Sequence, residues 1–127
     1  MAAGQTAVRP LRVLVVDDDQ ALLRMLGLTI STEGLEVATA EDGLAALGKL
    51  ASGNFDVVVL DLQMPGMDGR AVFREMRARG DAPPVIILSA YGAEIARRQL
   101  GAAAAINKPF DPDQLLETVR AVATRDR

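Results

Sequence analysis

Four places in this chain set a chemically capable polar side chain directly after an apolar run. Asp17-Asp18-Asp19 follows residues 11–16, Asp61 follows 57–60, Ser89 follows 85–88, and Lys108 follows 102–107. Short runs rich in Val and Ile suit strands covered on both faces, as in a parallel α/β sheet. The carboxyl ends of such strands share one edge, so residues distant in sequence converge there. Clustered carboxylates repel, and a hard divalent cation is the usual way to hold them together. The chain has neither His nor Cys, so any metal must be held by oxygen, which favours Mg²⁺, Mn²⁺ or Ca²⁺. A lysine and a hydroxyl beside such an ion complete the equipment for phosphoryl transfer to a carboxylate.

Each of these residues also has a blander reading. Asp61 could cap the following helix, but Asp68 is the better cap. Three consecutive acids could be a solvated loop, yet an apolar strand runs straight into them. Asp19 reads as the cap of the first helix and Asp56 as the opening of the third strand. Ser89 gains weight from its place after a buried strand. Lys108 is one of two lysines, with Lys49, in a chain that otherwise uses arginine. A compact ammonium suits one phosphoryl oxygen better than a planar guanidinium does.

The elements that must position these groups alternate. Residues 11–16 form a first strand, and 20–32 carry Leu22, Leu23, Met25, Leu26 and Ile30 at helical spacing before Gly34. Residues 35–40 read as a second strand, and Leu44, Leu47 and Leu50 line a second helix that stops near Gly53. After the third strand, Asp68-Gly69 opens a helix bearing Val72, Phe73 and Met76. Pro83-Pro84 precedes the fourth strand, a short helix spans about 92–100, and 102–107 is a weak, alanine-rich fifth strand. The last helix starts at an Asp111 cap, with Pro112 next and a Phe110–Leu115 staple around it. Strand–helix alternation of this kind makes right-handed βαβ units and a parallel sheet with helices on both faces.

Bulk properties narrow the function. The 127 residues fit one domain, and a net charge of −3 gives no support for nucleic-acid binding. No apolar run approaches the ~18 residues of a membrane span, and residues 1–10 lack a signal peptide's apolar region. The expectation is a soluble, cytoplasmic domain.

Taken together, Asp17-Asp18-Asp19, Asp61-Leu-Gln-Met64-Pro65-Gly-Met-Asp68-Gly69, Leu-Ser89-Ala90 and Lys108-Pro109-Phe110 resemble the receiver domains of two-component response regulators. The resemblance covers about residues 11–123, leaving 1–10 as a flexible lead and 124–127 as a tail. It implies a (βα)5 flavodoxin-like, doubly wound parallel sheet of strand order 2-1-3-4-5. It further implies that Asp61 accepts a phosphoryl group from a histidine kinase or histidine phosphotransfer protein, and that a downstream protein reads the change. Asp18 and Asp61 would ligate Mg²⁺ directly (Mn²⁺ being the substitute), Asp17 through water, and Gln63 through its main-chain carbonyl. Ser89 would hydrogen-bond the phosphoryl group and Lys108 pair with it. Lys108-Pro109 would be a cis peptide, and Gln63 and Tyr91 would flank the approach of water to the phosphorylated site.

The chain departs from the family at the switch position three residues before Lys108, where receivers carry Tyr or Phe and this chain has Ala105. The helix between Ser89 and Lys108 is also about one turn shorter than usual. Two rivals follow. A phosphorylation-independent interaction module on the same fold would explain the altered switch. An aspartyl-phosphate hydrolase of the haloacid-dehalogenase type has the acid spacing of Asp17-Asp18-Asp19 but would need Thr or Val where Ala21 stands, and a cap domain.

Overall fold

The computed structural model describes residues 9–66, 68–80 and 82–125. Strands and helices alternate without exception: β1 (Arg12–Val16), α1 (Gln20–Thr32), β2 (Glu36–Ala40), α2 (Gly43–Ser52), β3 (Val57–Asp61), α3 (Gly69–Ala78), β4 (Val85–Ser89), α4 (Ala93–Leu100), β5 (Ala104–Asn107) and α5 (Pro112–Arg125). All strand pairs are parallel, and the order is β2-β1-β3-β4-β5, the order expected.

Alternate residues of each strand enter different cores, because successive side chains leave a strand on opposite faces. Val13, Val15, Val57, Val59, Ile86 and Leu88 pack against Leu23, Leu26 and Ile30 of α1 and Leu115 and Val119 of α5. Leu14, Val16, Val58, Leu60 and Ile87 pack on the other face against Leu47 of α2, Val72, Phe73 and Met76 of α3, and Ala96 of α4. Burial on both faces is why these strands read as unbroken apolar runs.

Aspartates set the starts of α1, α2, α3 and α5. Asp19, Asp42 and Asp68 accept hydrogen bonds from the N–H groups of Leu22, Ala45 and Ala71, and Asp111 accepts from that of Asp113. Gly34 closes α1 at φ +88°, a left-handed conformation that costs glycine nothing. Several boundaries differ from the sequence expectation. β5 begins at Ala104 rather than Ala102, because the Ala102 N–H turns back to the Arg97 carbonyl. α5 runs to Arg125, two residues into the stretch expected as a tail. Of the expected lead, residues 1–8 lie outside the described residues, as do 126–127 of the tail. Arg9 does not hang free: its guanidinium pairs with both Asp56 oxygens at 3.0 and 3.1 Å. Asp56 also accepts the Arg12 N–H at 2.8 Å, so it ties the chain's entry to the start of β3.

Candidate functional site

β1 and β3 are neighbours at the centre of the sheet, which brings Asp17, Asp18 and Asp61 to one edge. One carboxylate oxygen from each lies within 4.8 Å of the others. Asp17 and Asp61 are buried, at 0% and 1% exposure, while Asp18 is exposed. Two negative charges this deep require a cation. Lys108, carried just past the end of β5, supplies one: its Nζ lies 2.7 Å from Asp17 Oδ2 and 3.5 Å from Asp61 Oδ1. The Lys108-Pro109 peptide after it is cis.

The two buried carboxylates are not equivalent. Asp17 is occupied on both sides, with Oδ1 accepting the Asp19 N–H at 3.0 Å and Oδ2 facing Lys108. Asp61 Oδ1 accepts the Gln63 N–H at 3.2 Å, while Oδ2 receives no hydrogen bond among the described residues. Burial, then the Asp17 charge, push the Asp61 carboxyl up from 3.8 to about 6, against the pull of Lys108. Burial also works against the Lys108 ammonium, but the hydrogen bond and charge of Asp17, with Asp61, outweigh it and hold Lys108 above its ordinary value.

A raised carboxyl has a definite consequence for stability. Folding favours the protonated form, so Asp61 ionisation costs stability as pH climbs from about 4 to about 6. Asp61→Asn should therefore leave stability unchanged near pH 4 and raise it by about 2 kcal/mol at pH 7.5 without divalent ions. Urea unfolding at both pH values checks this; an equal gap at the two, or none, would contradict it.

Ser89 closes β4, fully buried, and accepts the Gln63 Nε2 at 2.9 Å. Its hydroxyl lies 2.6 Å from the Tyr91 carbonyl. The Tyr91 ring is 77% exposed, so in this state the residue meets the site through its main chain. Ala105 is half-buried, pairs with Ile87, and packs beside the core under α2, α3 and α4.

Gly69, which opens a helix and ends the motif that begins at Asp61, comes unusually close to the end of β3. A Cβ there would stand 2.3 Å from the Asp61 carbonyl oxygen and 2.6 Å from the Leu62 Cα. Its N–H donates to the Leu62 carbonyl at 3.2 Å, so α3 begins in direct contact with the backbone at the end of β3. A signal was available: glycine in the first turn of a helix is costly unless something must come close.

The family model described as "Response regulator receiver domain" matches residues 13–120. Response regulator MprA of Mycobacterium sp. (strain KMS) is 40% identical over 119 residues, which are 91% of this chain and 52% of that protein. Transcriptional regulatory protein GlrR of Escherichia coli (strain K12) is 40% identical over 87% of this chain and 26% of its own length. The chain thus spans about half the length of the first of these curated relatives and about a quarter of the second. Among solved structures, the receiver domain of the Francisella response regulator 1452 superposes with a TM-score of 0.85 at 33% identity, covering 91% of this chain and 98% of that one. Response regulator TrrA of Thermotoga maritima, solved in complex with Mg(2+)-BeF, gives 0.77 at 37% identity over 88% and 98%. An acidic edge joined by one lysine, on a sheet of this order and with these relatives, makes the chain a member of the response regulator receiver domain family.

Proposed function

We propose that this chain is a phosphoacceptor module in which Asp61 takes a phosphoryl group from a histidine kinase or histidine phosphotransfer protein. The observation that carries this is the asymmetry of Asp61, buried, with one oxygen engaged and the other without a hydrogen bond among the described residues. Asp61 Oδ2 attacks phosphorus in line as the phosphorus–nitrogen bond of phosphohistidine breaks. The imidazole leaves with the electron pair and takes a proton. Lys108 moves from pairing carboxylates to pairing a phosphoryl oxygen, and the Ser89 hydroxyl donates to another.

The donor set at this edge, carboxylates without His or Cys, fits Mg²⁺, with Mn²⁺ as a substitute. Asp18 and Asp61 would bind it directly, the Gln63 carbonyl would add a ligand, and Asp17, already bonded on both oxygens, would act through water. When bound, the ion neutralises charge on the phosphoryl oxygens. The Mg(2+)-BeF complex of the TrrA relative supports this assignment.

Downstream reading of the signal falls to a protein partner. With Ala105 in place of an aromatic and α4 of 8 residues, the switch runs through the loop after Ser89 rather than through a rotating ring. Gln63 and Tyr91 flank the path of water to phospho-Asp61. No helix among the described residues is long and apolar enough to cross a membrane.

Incubation with acetyl phosphate and Mg²⁺, followed by intact mass measurement, tests the reading. The wild type should gain one phosphoryl mass, Asp61→Asn none, and Asp18→Ala should lose Mg²⁺-dependent labelling. An unlabelled wild type, or labelling that survives Asp61→Asn, would sink the proposal in favour of a phosphorylation-independent interaction module.

A further inference from the structure

We propose that Gln63 is a positioning residue that aims the Ser89 hydroxyl, and that phosphorylation moves the Ser89 proton from the Tyr91 carbonyl to the phosphoryl group. This deepens the phosphoacceptor reading above and rests on it. Two acceptors lie within reach of the Ser89 hydroxyl, the Tyr91 carbonyl at 2.6 Å and Gln63 Oε1 at 3.2 Å, and the much closer carbonyl takes the proton. The Ala90 N–H can only donate, and it lies 3.2 Å from Gln63 Oε1. That fixes the amide so that Nε2 faces Ser89 Oγ at 2.9 Å and takes one of its lone pairs. A hydroxyl has a single proton, and the Tyr91 carbonyl, which can only accept, sits 2.6 Å away. Ser89 is fully buried, so bulk water does not compete for that proton.

Phosphoryl oxygens also only accept. Ser89 can serve one only by withdrawing its proton from Tyr91, whereas the Gln63 bond uses a lone pair and persists throughout. Gln63 therefore holds Oγ in place while the proton changes partner. The carbonyl left behind belongs to the residue before Gly92, which starts α4 at φ +70° with no side-chain cap. Removing the Ser89 bond frees this turn, beside the exposed Tyr91 and Ile95 side chains. A chain with alanine at 105 thus still has a way to convert phosphorylation into a change at α4.

Rates of phosphorylation by acetyl phosphate with Mg²⁺, measured for wild type, Gln63→Ala, Ser89→Ala and the double variant, test the positioning role. Loss of one neutral hydrogen bond should slow Gln63→Ala by about twofold to tenfold. Because Gln63 acts through Ser89, the double variant should be no slower than Ser89→Ala alone. Losses that multiply, or a Gln63→Ala rate equal to wild type, overturn the proposal. The proton transfer has its own signature: the Tyr91 carbonyl ¹³C resonance should shift when Mg²⁺ and beryllofluoride bind the wild type, and stay in place in Ser89→Ala. Binding with no Tyr91 shift in the wild type overturns the transfer. A wild type that takes up neither phosphoryl group nor beryllofluoride instead overturns the phosphoacceptor reading itself.

Discussion

Lys108→Met should cost the protein about 2 kcal/mol of stability at neutral pH, and Mg²⁺ should return most of it. Methionine keeps the stem that crosses the edge and removes only the charge. Asp17, fully buried, would then lose the 2.7 Å partner of one oxygen, and Asp61 its only nearby cation among the described side chains. Deleting one member of a fully buried pair costs about 3–5 kcal/mol, and because the lysine side chain is 25% exposed the expected cost falls below that range, to about 2 kcal/mol. The sign with pH is fixed. Lys108 is charged throughout the neutral range, its ordinary value being 10.5 and its value here higher. The variation below pH 7 therefore comes from Asp61. As pH falls through about 6 it takes up a proton, its repulsion with Asp17 vanishes, and the gap to wild type should close. Mg²⁺ at about ten times its dissociation constant adds roughly 1.4 kcal/mol to whichever form binds it. Urea titrations at pH 5 and pH 7.5, each with and without Mg²⁺, would reveal all three effects. A variant as stable as wild type at pH 7.5 would mean that the pair is not structural.

Gly69→Ala should be severely damaging for a change that adds a single methyl group. The new carbon would overlap the Asp61 carbonyl and the Leu62 Cα, both main-chain atoms that cannot swing away. Either α3 lifts from the sheet or the backbone of Asp61 and Leu62 moves. A loss of about 3 kcal/mol is expected from such overpacking, with phosphorylation by acetyl phosphate falling more than stability alone explains. Gly48→Ala is the matched control. Gly48 lies within α2 with nothing within 4 Å of an added Cβ, and there alanine should stabilise by about 0.5–1 kcal/mol. Thermal unfolding of the two variants side by side decides the matter, and equal behaviour would refute the close-approach argument.

These two cases mark what could be read from the sequence. The strands were legible because burial on both faces leaves long runs such as Val57-Val58-Val59-Leu60, and their order followed from the family resemblance. The acidic edge was legible because parallel strands place their ends together, so Asp17 and Asp61 could be paired without coordinates. The close contact of Gly69 with Asp61 was not, since periodicity carries no information about how near a helix start comes to a preceding strand. Nor was the Arg9–Asp56 tie, a pairing of surface charges 47 positions apart. The Gln63–Ser89 bond joins the loop after β3 to the last residue of β4, a facing that follows only once the two strands are laid side by side.

The split of the sheet into two cores also has a consequence for how partners could sense this protein. Counting by twos along the strands, Asp17 follows Val15, Asp61 follows Val59 and Lys108 follows Ile106, all on the side covered by α1 and α5. Ser89 follows Ile87, on the side covered by α2, α3 and α4. The charged half of the site and its hydroxyl half are thus anchored to opposite helical layers, with the sheet edge as the seam between them. Under the proposed phosphorylation, a protein on α1 and α5 would register the change in charge and one on α4 the movement of a single proton, so that the proposed modification would be legible on two sides of the same molecule.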